Sequence, residues 1–295
     1  MMTREALIKM LMLLVVGMTG CSGSTNSAPV AAPNLRGTTV KCAVIGGMMD
    51  TGLWQGITER FTNETGIKVE VVAAGPKPII SAPFRRGEAD LITMHASDTI
   101  INLVADGYGI NPQPWTKNDQ LLVGPKSDPA QIKGMTDVVA ALKKIIDSKS
   151  KLLVHQSLGT NEVLHDLLAE GDLALDPDST ISLPIDRHRT LLQRAAQEQA
   201  YTIVGRIPFL NGKIKNDGLE IMVKGDARMR RPYLVVTRVP SEPPKPEELA
   251  AQRLAEFLRT PETQSWIAGY GKGTYDDQPL FFPVTLPSEK TKASR

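Results

Sequence analysis

The chain has 295 residues, of which 41% are hydrophobic, 22% charged and only 5% aromatic, a globular composition long enough for one large domain or two α/β lobes. Lys and Arg number 34 against 32 Asp and Glu, so the formal charge is +2, without the clustered basic excess that nucleic-acid binding requires. Two cysteines support neither a disulfide framework nor a four-thiolate zinc site.

Residues 1–20 read as an export signal. MMTREALIKM carries positive charge, LMLLVVGMTG is a short apolar core, and small Gly20 directly precedes Cys21. About a dozen apolar residues are too few to span a bilayer as a helix. Residues 21–38 are rich in Ser, Pro, Ala, Gly and Asn and form a flexible tether. Met18-Thr19-Gly20-Cys21 resembles the lipobox of bacterial lipoproteins, which implies cleavage before Cys21 and lipid on that cysteine. Cys42 is then left alone in a strand-like run, as a small buried hydrophobe.

The body opens with an apolar run, Val40 to Ile45, that breaks at Gly46-Gly47. The next helix places Leu53, Trp54, Ile57 and Phe61 on one face, and Asp50 before it is expected to face out. Residues 66–75 and the run GEADLITMH read as strands, and SDTIINLVADGYG as a helix closing at glycine. Farther on, the turn Ser157 to Asn161 opens a helix with Val163, Leu164, Leu167 and Leu168 inward. One of Ser157 and Thr160 is expected to cap it.

IDRHRTLLQRAAQEQA reads as a helix whose start holds Arg187, His188 and Arg189. Cations at that end are unfavourable without something negative nearby, which leaves a bound anion, pairing with Asp186 or Asp178, or plain solvation. YTIVG is a strand leading to Arg206, and Arg228-Met229-Arg230-Arg231 reads as a solvated turn beside a crossing between lobes. VPSEPPKPEELAAQRLAEFL supplies a Pro-rich loop and a helix with an acidic first turn.

Strands alternating with helices predict parallel sheets with ligands at the strands' carboxyl ends. The sequence lacks glycine-rich phosphate loops, an H-E-x-x-H pair and a G-x-S-x-G elbow, so nucleotide, zinc and hydrolase chemistry have no local support.

Residues 66 to 134, with GIKVEVVAAG, RRGEADLITMHA and GPKSDP, resemble the tungstate-binding proteins of bacterial ABC importers. LAEFLRTPETQSWIAGYGKGTYDDQPLFFP, residues 254 to 283, is similar to the end of that family, and the likeness spans roughly residues 40 to 283. The resemblance implies an α/β chain with the two-lobed type II periplasmic binding fold, each lobe a mostly parallel sheet flanked by helices. Lobe 1 is expected at 39–120 plus 236–285, lobe 2 at 121–235, and a tail at 286–295.

The chain departs from the family where an anion should sit. Val44, Ile45, Gly46 and Gly47 replace a hydroxyl-rich turn, and the arginine that precedes the family's Gly-Thr pair is absent before Gly159-Thr160. His155 or Gln156 stands near its place, and Arg206 is the cation that remains from a later motif. The resemblance and the residues together give a candidate ligand set of Gly46, Gly47, Met48, His155, Ser157, Gly159, Thr160, Asn161, His188 and Arg206. Met48 and Met49 would form an apolar wall, and Arg206 would share one ligand with the turn that opens at Ser157. Two helix starts presenting unpaired N–H groups suit an anion.

The implied function is that of an extracytoplasmic solute-binding lipoprotein of an ABC importer. It would capture a tungstate-like oxyanion or a small organic anion, with an ABC permease as partner and the membrane reached through the lipid. A transport-independent sensor or interaction lipoprotein is the alternative. No enzyme activity, cofactor or metal is expected, and a monomer is.

Overall fold

The computed structural model describes residues 33–155, 158–183, 190–212, 218–274 and 277–285. In chain order the elements are β1 (Thr39–Ile45), α1 (Gly46–Asp50), α2 (Leu53–Thr65), β2 (Lys68–Gly75), α3 (Lys77–Arg86), β3 (Leu91–His95), α4 (Asp98–Ala105), β4 (Gly109–Asn118) and β5 (Gln120–Gly124). There follow α5 (Val138–Asp147), β6 (Leu152–His155), α6 (Leu158–Glu170), β7 (Thr180–Leu183), α7 (Leu191–Glu198), β8 (Tyr201–Gly205), α8 (Arg206–Leu210) and β9 (Glu220–Val223). The last are β10 (Arg231–Arg238), α9 (Pro246–Phe257) and α10 (Pro261–Ile267).

The strands assemble into two five-stranded sheets, ordered β2-β1-β3-β10-β4 and β7-β6-β8-β5-β9. In each, three strands run parallel, the expected α/β half. The other two are the strands that carry the chain between the lobes: β10 and β5 run opposite to the parallel three, and β4 and β9, paired antiparallel to them, share the direction of the three. The reason is connectivity. β4 ends at Asn118 and β5 begins at Gln120, so one strand line passes from sheet to sheet through Asp119 alone. The return runs through residues 224–230 into β10, which pairs with β4 from Arg231 to Arg238 and with β3 from Tyr233 to Thr237. The expected boundary at 235/236 therefore falls inside a strand, and residues 231–235 belong to the first sheet. Residues from Leu35 onward form one compact unit.

The apolar periodicity read from the sequence lands in the cores. Leu53, Trp54, Ile57 and Phe61 are buried against the first sheet with Cys42, Phe84, Trp115 and Phe281. Trp115 meets Trp54 edge-on at 6.2 Å, and its indole N–H donates to Thr93 Oγ1 at 2.9 Å. Leu164, Leu167 and Leu168 pack with Leu142, Ile145 and Tyr201 on one face of the second sheet, and Leu192 and Phe209 cover the other. Ile207, at the start of α8, crosses into the first core. Asp50 is exposed, as expected from the sequence.

A C-terminal strap binds the two lobes together. Lys117 and Phe282 exchange backbone hydrogen bonds, Leu280 N–H donates to Tyr270 O, and Asp277 pairs with Lys224 in the return segment. Arg206 Nη1 donates to Pro279 O at 2.6 Å and Nη2 to Gln278 O at 3.4 Å. Apart from the Asp277–Lys224 ion pair, each of these bonds satisfies a backbone group that the irregular strap cannot pair within itself.

Candidate functional site

The parallel strands of both lobes end where their helices begin, and these ends frame the candidate site. On the first lobe β1 runs directly into α1 at Gly46. The end of β2 lies so close that a Cβ on Gly46 would stand 3.5 Å from Gly75 Cα. Gly75 has φ 143°, a backbone state that L side chains rarely adopt, and it turns the chain into α3 at Lys77. β3 ends at His95, whose ring stacks on Tyr233 at 4.0 Å. On the second lobe β6 ends at His155 and α6 follows.

Between these ends stand the two crossings. Asn118 and Gln120 flank Asp119 on the outgoing strand line, so their side chains share one face and Asp119 takes the other. Gln120 is 4% exposed, and its Nε2 reaches the Gly159 carbonyl at 3.4 Å. Its buried Oε1 has no partner among the described residues. Arg231, the first residue of β10, reaches across to α6, where Nη2 meets Glu162 Oε2 at 3.0 Å. Its side chain is 13% exposed. Gly159 makes this approach possible, because a Cβ there would lie 2.2 Å from Arg231 Nη1.

Lys77 completes the group. Partial burial and the nearby positive charge of Arg231 lower its pKa, while Glu162 and Asp98 pull it back up. His95 feels the same field. Burial first, then Arg231 and Lys77, bring it down to about 3, so the ring is neutral at physiological pH. Lys77 and the largely buried Arg231 of the first lobe thus stand near the start of a 13-residue helix of the second, with the carboxylates of Glu162 and Asp98 beside them. Positive charge gathered from three elements suits an anion, which a helix start and a guanidinium both accept through hydrogen bonds.

The residues expected from the sequence separate on inspection. Gly46 and Gly47 lie at the first-lobe strand end, and a Cβ on Gly47 would meet nothing within 4 Å. His155, Thr160 and Asn161 line one small pocket with Leu164 and Ile203, and His155 is 2% exposed. Met48 is a correction: it is fully buried in the first core, so its side chain fills the lobe rather than lining a wall, and Met49 also packs against that core. Arg206 is a second correction in emphasis. It is 0% exposed and holds the strap carbonyls, with its guanidinium 5.9 Å from the Phe282 ring. Ser157, Gln156, Arg187, His188, Arg189 and Cys21 lie outside the described residues.

The basic run at 228–231 is a third correction, because it is not a solvated turn. Arg228 pairs with Asp226, Asp137 and Glu170. Arg230 lies 3.9 Å over the Phe282 ring, and Arg231 enters the seam. Reading the sequence missed Lys77, Gln120 and Arg231. One signal was available for Lys77, which follows Gly75-Pro76 at the end of a predicted strand. Arg231 offered none, because its neighbours in sequence point elsewhere. Among the described residues no group of three or more His, Cys, Asp and Glu is placed to hold a metal ion.

Comparison with known proteins follows the same geometry. Tungstate-binding protein TupA of Peptoclostridium acidaminophilum is 31% identical over 287 residues, covering 94% of this chain and 97% of that protein. A putative ABC transporter anion-binding protein of Haloferax volcanii is 30% identical over 291 residues, covering 92% of this chain and 83% of its own length. The solved structure of the tungstate-binding protein TupA from Desulfovibrio alaskensis G20 matches with a TM-score of 0.68 at 25% identity, over 84% of this chain and 100% of that one. These matches bear out the two-lobed type II periplasmic binding fold. The family model for bacterial extracellular solute-binding proteins matches residues 43–272. With two sheets joined by paired crossings and that match running through both, the chain belongs to the bacterial extracellular solute-binding proteins.

Proposed function

We propose that this solute-binding protein captures a small anion between its lobes, either a tungstate-like oxyanion or a small organic anion, and delivers it to an ABC permease. The observation that carries this reading is the convergence of Lys77 and Arg231 on the start of α6. The names of the relatives, one tungstate-binding and one anion-binding, support the same ligand class. In this reading Gly46 and Gly47 offer backbone N–H groups from lobe 1. Gly159, Thr160 and Asn161 offer the α6 start from lobe 2, with His155 at the end of the preceding strand, and Ser157 and His188 are proposed as ligands from the sequence alone. A thermal-shift screen of the purified protein against tungstate, molybdate, sulfate, phosphate and small carboxylates tests it. A ligand at one hundred times its Kd should stabilise by about 2.7 kcal/mol. No shift with any anion would remove the proposal and favour a sensor or interaction role.

The same reading places the protein on a membrane through lipid at Cys21, supported by the short apolar core that ends at Gly20. Cys21→Ser should abolish metabolic labelling with a radioactive fatty acid while the exported body remains folded. Labelling that survives the substitution would rule out this anchor.

A further inference from the structure

The Arg231–Glu162 pair has a feature that the capture reading alone does not explain. Glu162 lies in the first turns of α6, where a carboxylate already complements the helix dipole, and half of its side chain is exposed. Solvent alone would satisfy it there. Instead its Oε2 meets Arg231 Nη2 at 3.0 Å, across the junction between the first sheet and the second lobe. A glycine leaves the room for that guanidinium. Glu162 is also one of the two carboxylates whose charge offsets Arg231 at Lys77, the other being Asp98. Of these two carboxylates, Glu162 is the one that pairs directly with Arg231, so the chain itself supplies an anion to that guanidinium.

Building on the anion-capture reading, we propose that Arg231 and Lys77 are the charge receptor of the interlobe site and that Glu162 is an internal stand-in for the ligand. The Glu162 carboxylate occupies Arg231 in the empty protein, and an incoming anion takes its place. Two cations beside a helix start repel one another, and a carboxylate on a flexible two-methylene stem relieves that repulsion without filling the site permanently. Because the pair is largely solvent-exposed on the Glu162 side, it is weak enough to be exchanged. The arrangement sets affinity by competition. Any anion bound must displace one carboxylate from one guanidinium, so binding is weaker than the cations alone would allow, and release remains easy. It also gives Gly159 a specific role, which is to admit the Arg231 guanidinium beside α6.

The test uses calorimetric titration of the whole protein with tungstate, phosphate and acetate as probes. Glu162→Gln keeps the shape and removes the competing charge, and it should tighten binding of each probe that the unmodified protein binds by three- to tenfold. Arg231→Gln should weaken the same probes more than tenfold, the scale of one charge-assisted hydrogen bond. Arg231 also begins a central strand, so Gly159→Ala supplies a second route. The nearest atoms the new methyl meets are the far end of the Arg231 side chain, which it displaces while favouring the helix, so affinity should fall with no loss of thermal stability. If the unmodified protein binds a probe and Glu162→Gln leaves its affinity within twofold, the stand-in is wrong. If Arg231→Gln and Gly159→Ala leave it within twofold, the receptor is wrong. If no variant and no unmodified protein binds any probe, the anion-capture reading itself fails and takes this proposal with it.

Discussion

Arg206→Ala is expected to lower the unfolding free energy by roughly 3–5 kcal/mol, the cost of removing one member of a buried ionic group. The guanidinium is 0% exposed, and two of its nitrogens hold the carbonyls of Pro279 and Gln278. Alanine would strand those carbonyls in the interior and remove a positive charge that lowers the pKa of buried Asp119. It would also leave a void beside Phe282. Because the strap joins both lobes, the loss falls on the whole molecule rather than on one loop. Denaturant unfolding at neutral pH measures it, and Arg206→Lys, which keeps the charge but not the planar fork, should fall between. A loss below about 1 kcal/mol accompanied by a large loss of anion affinity would instead return Arg206 to the ligand site.

Asp119→Asn should change how stability depends on pH. Burial pushes the Asp119 carboxyl up from 3.8 to about 6, against the pull of Arg230 and Arg206 and the Gln120 N–H bond. A carboxyl raised in the folded state holds its proton more tightly there than in the unfolded chain. Its contribution is therefore full below pH 3.8 and is lost as pH rises through 6. That interval corresponds to about 3 kcal/mol at roughly 1.4 kcal/mol per pH unit. Between pH 3.5 and 7.5 the asparagine variant should gain about that much relative to the unmodified protein. Parallel pH profiles for the two proteins would show that Asp119 is charged without penalty in the fold.

Both effects arise where one strand line passes between lobes, and this is where sequence reading was weakest. The helix at 53–65 was visible because Leu53, Trp54, Ile57 and Phe61 repeat at helical spacing, and the structure buries all four. β1, β3 and β8 were visible as short apolar runs between turns. α3 was not, because Pro78 and Pro83 interrupt KPIISAPFRR, and tertiary packing of Ile80 and Phe84 carries the helix through. Helical propensity is a weak guide against that kind of burial.

The candidate site divides along the same line. Gly46, Gly47, Gly159 and Thr160 could be named because strand ends and helix starts leave local marks in a sequence, and such ends hold unpaired N–H groups wherever they occur. Arg206 could be named as a cation but not as a strap-holder, since its partners lie more than 70 residues away. Arg231 looked like one charge in a solvated run. Only folding shows that alternate residues of that run face different surroundings, with Arg228 on Asp226, Arg230 over Phe282 and Arg231 against α6. Local sequence thus determined the alternation of strands and helices and the family likeness, because periodicity and short-range motifs encode them. That Arg231 meets α6 was decided by the two crossings, because long-range strand pairing and the packing of α6 bring Gln120, Gly159 and Arg231 together.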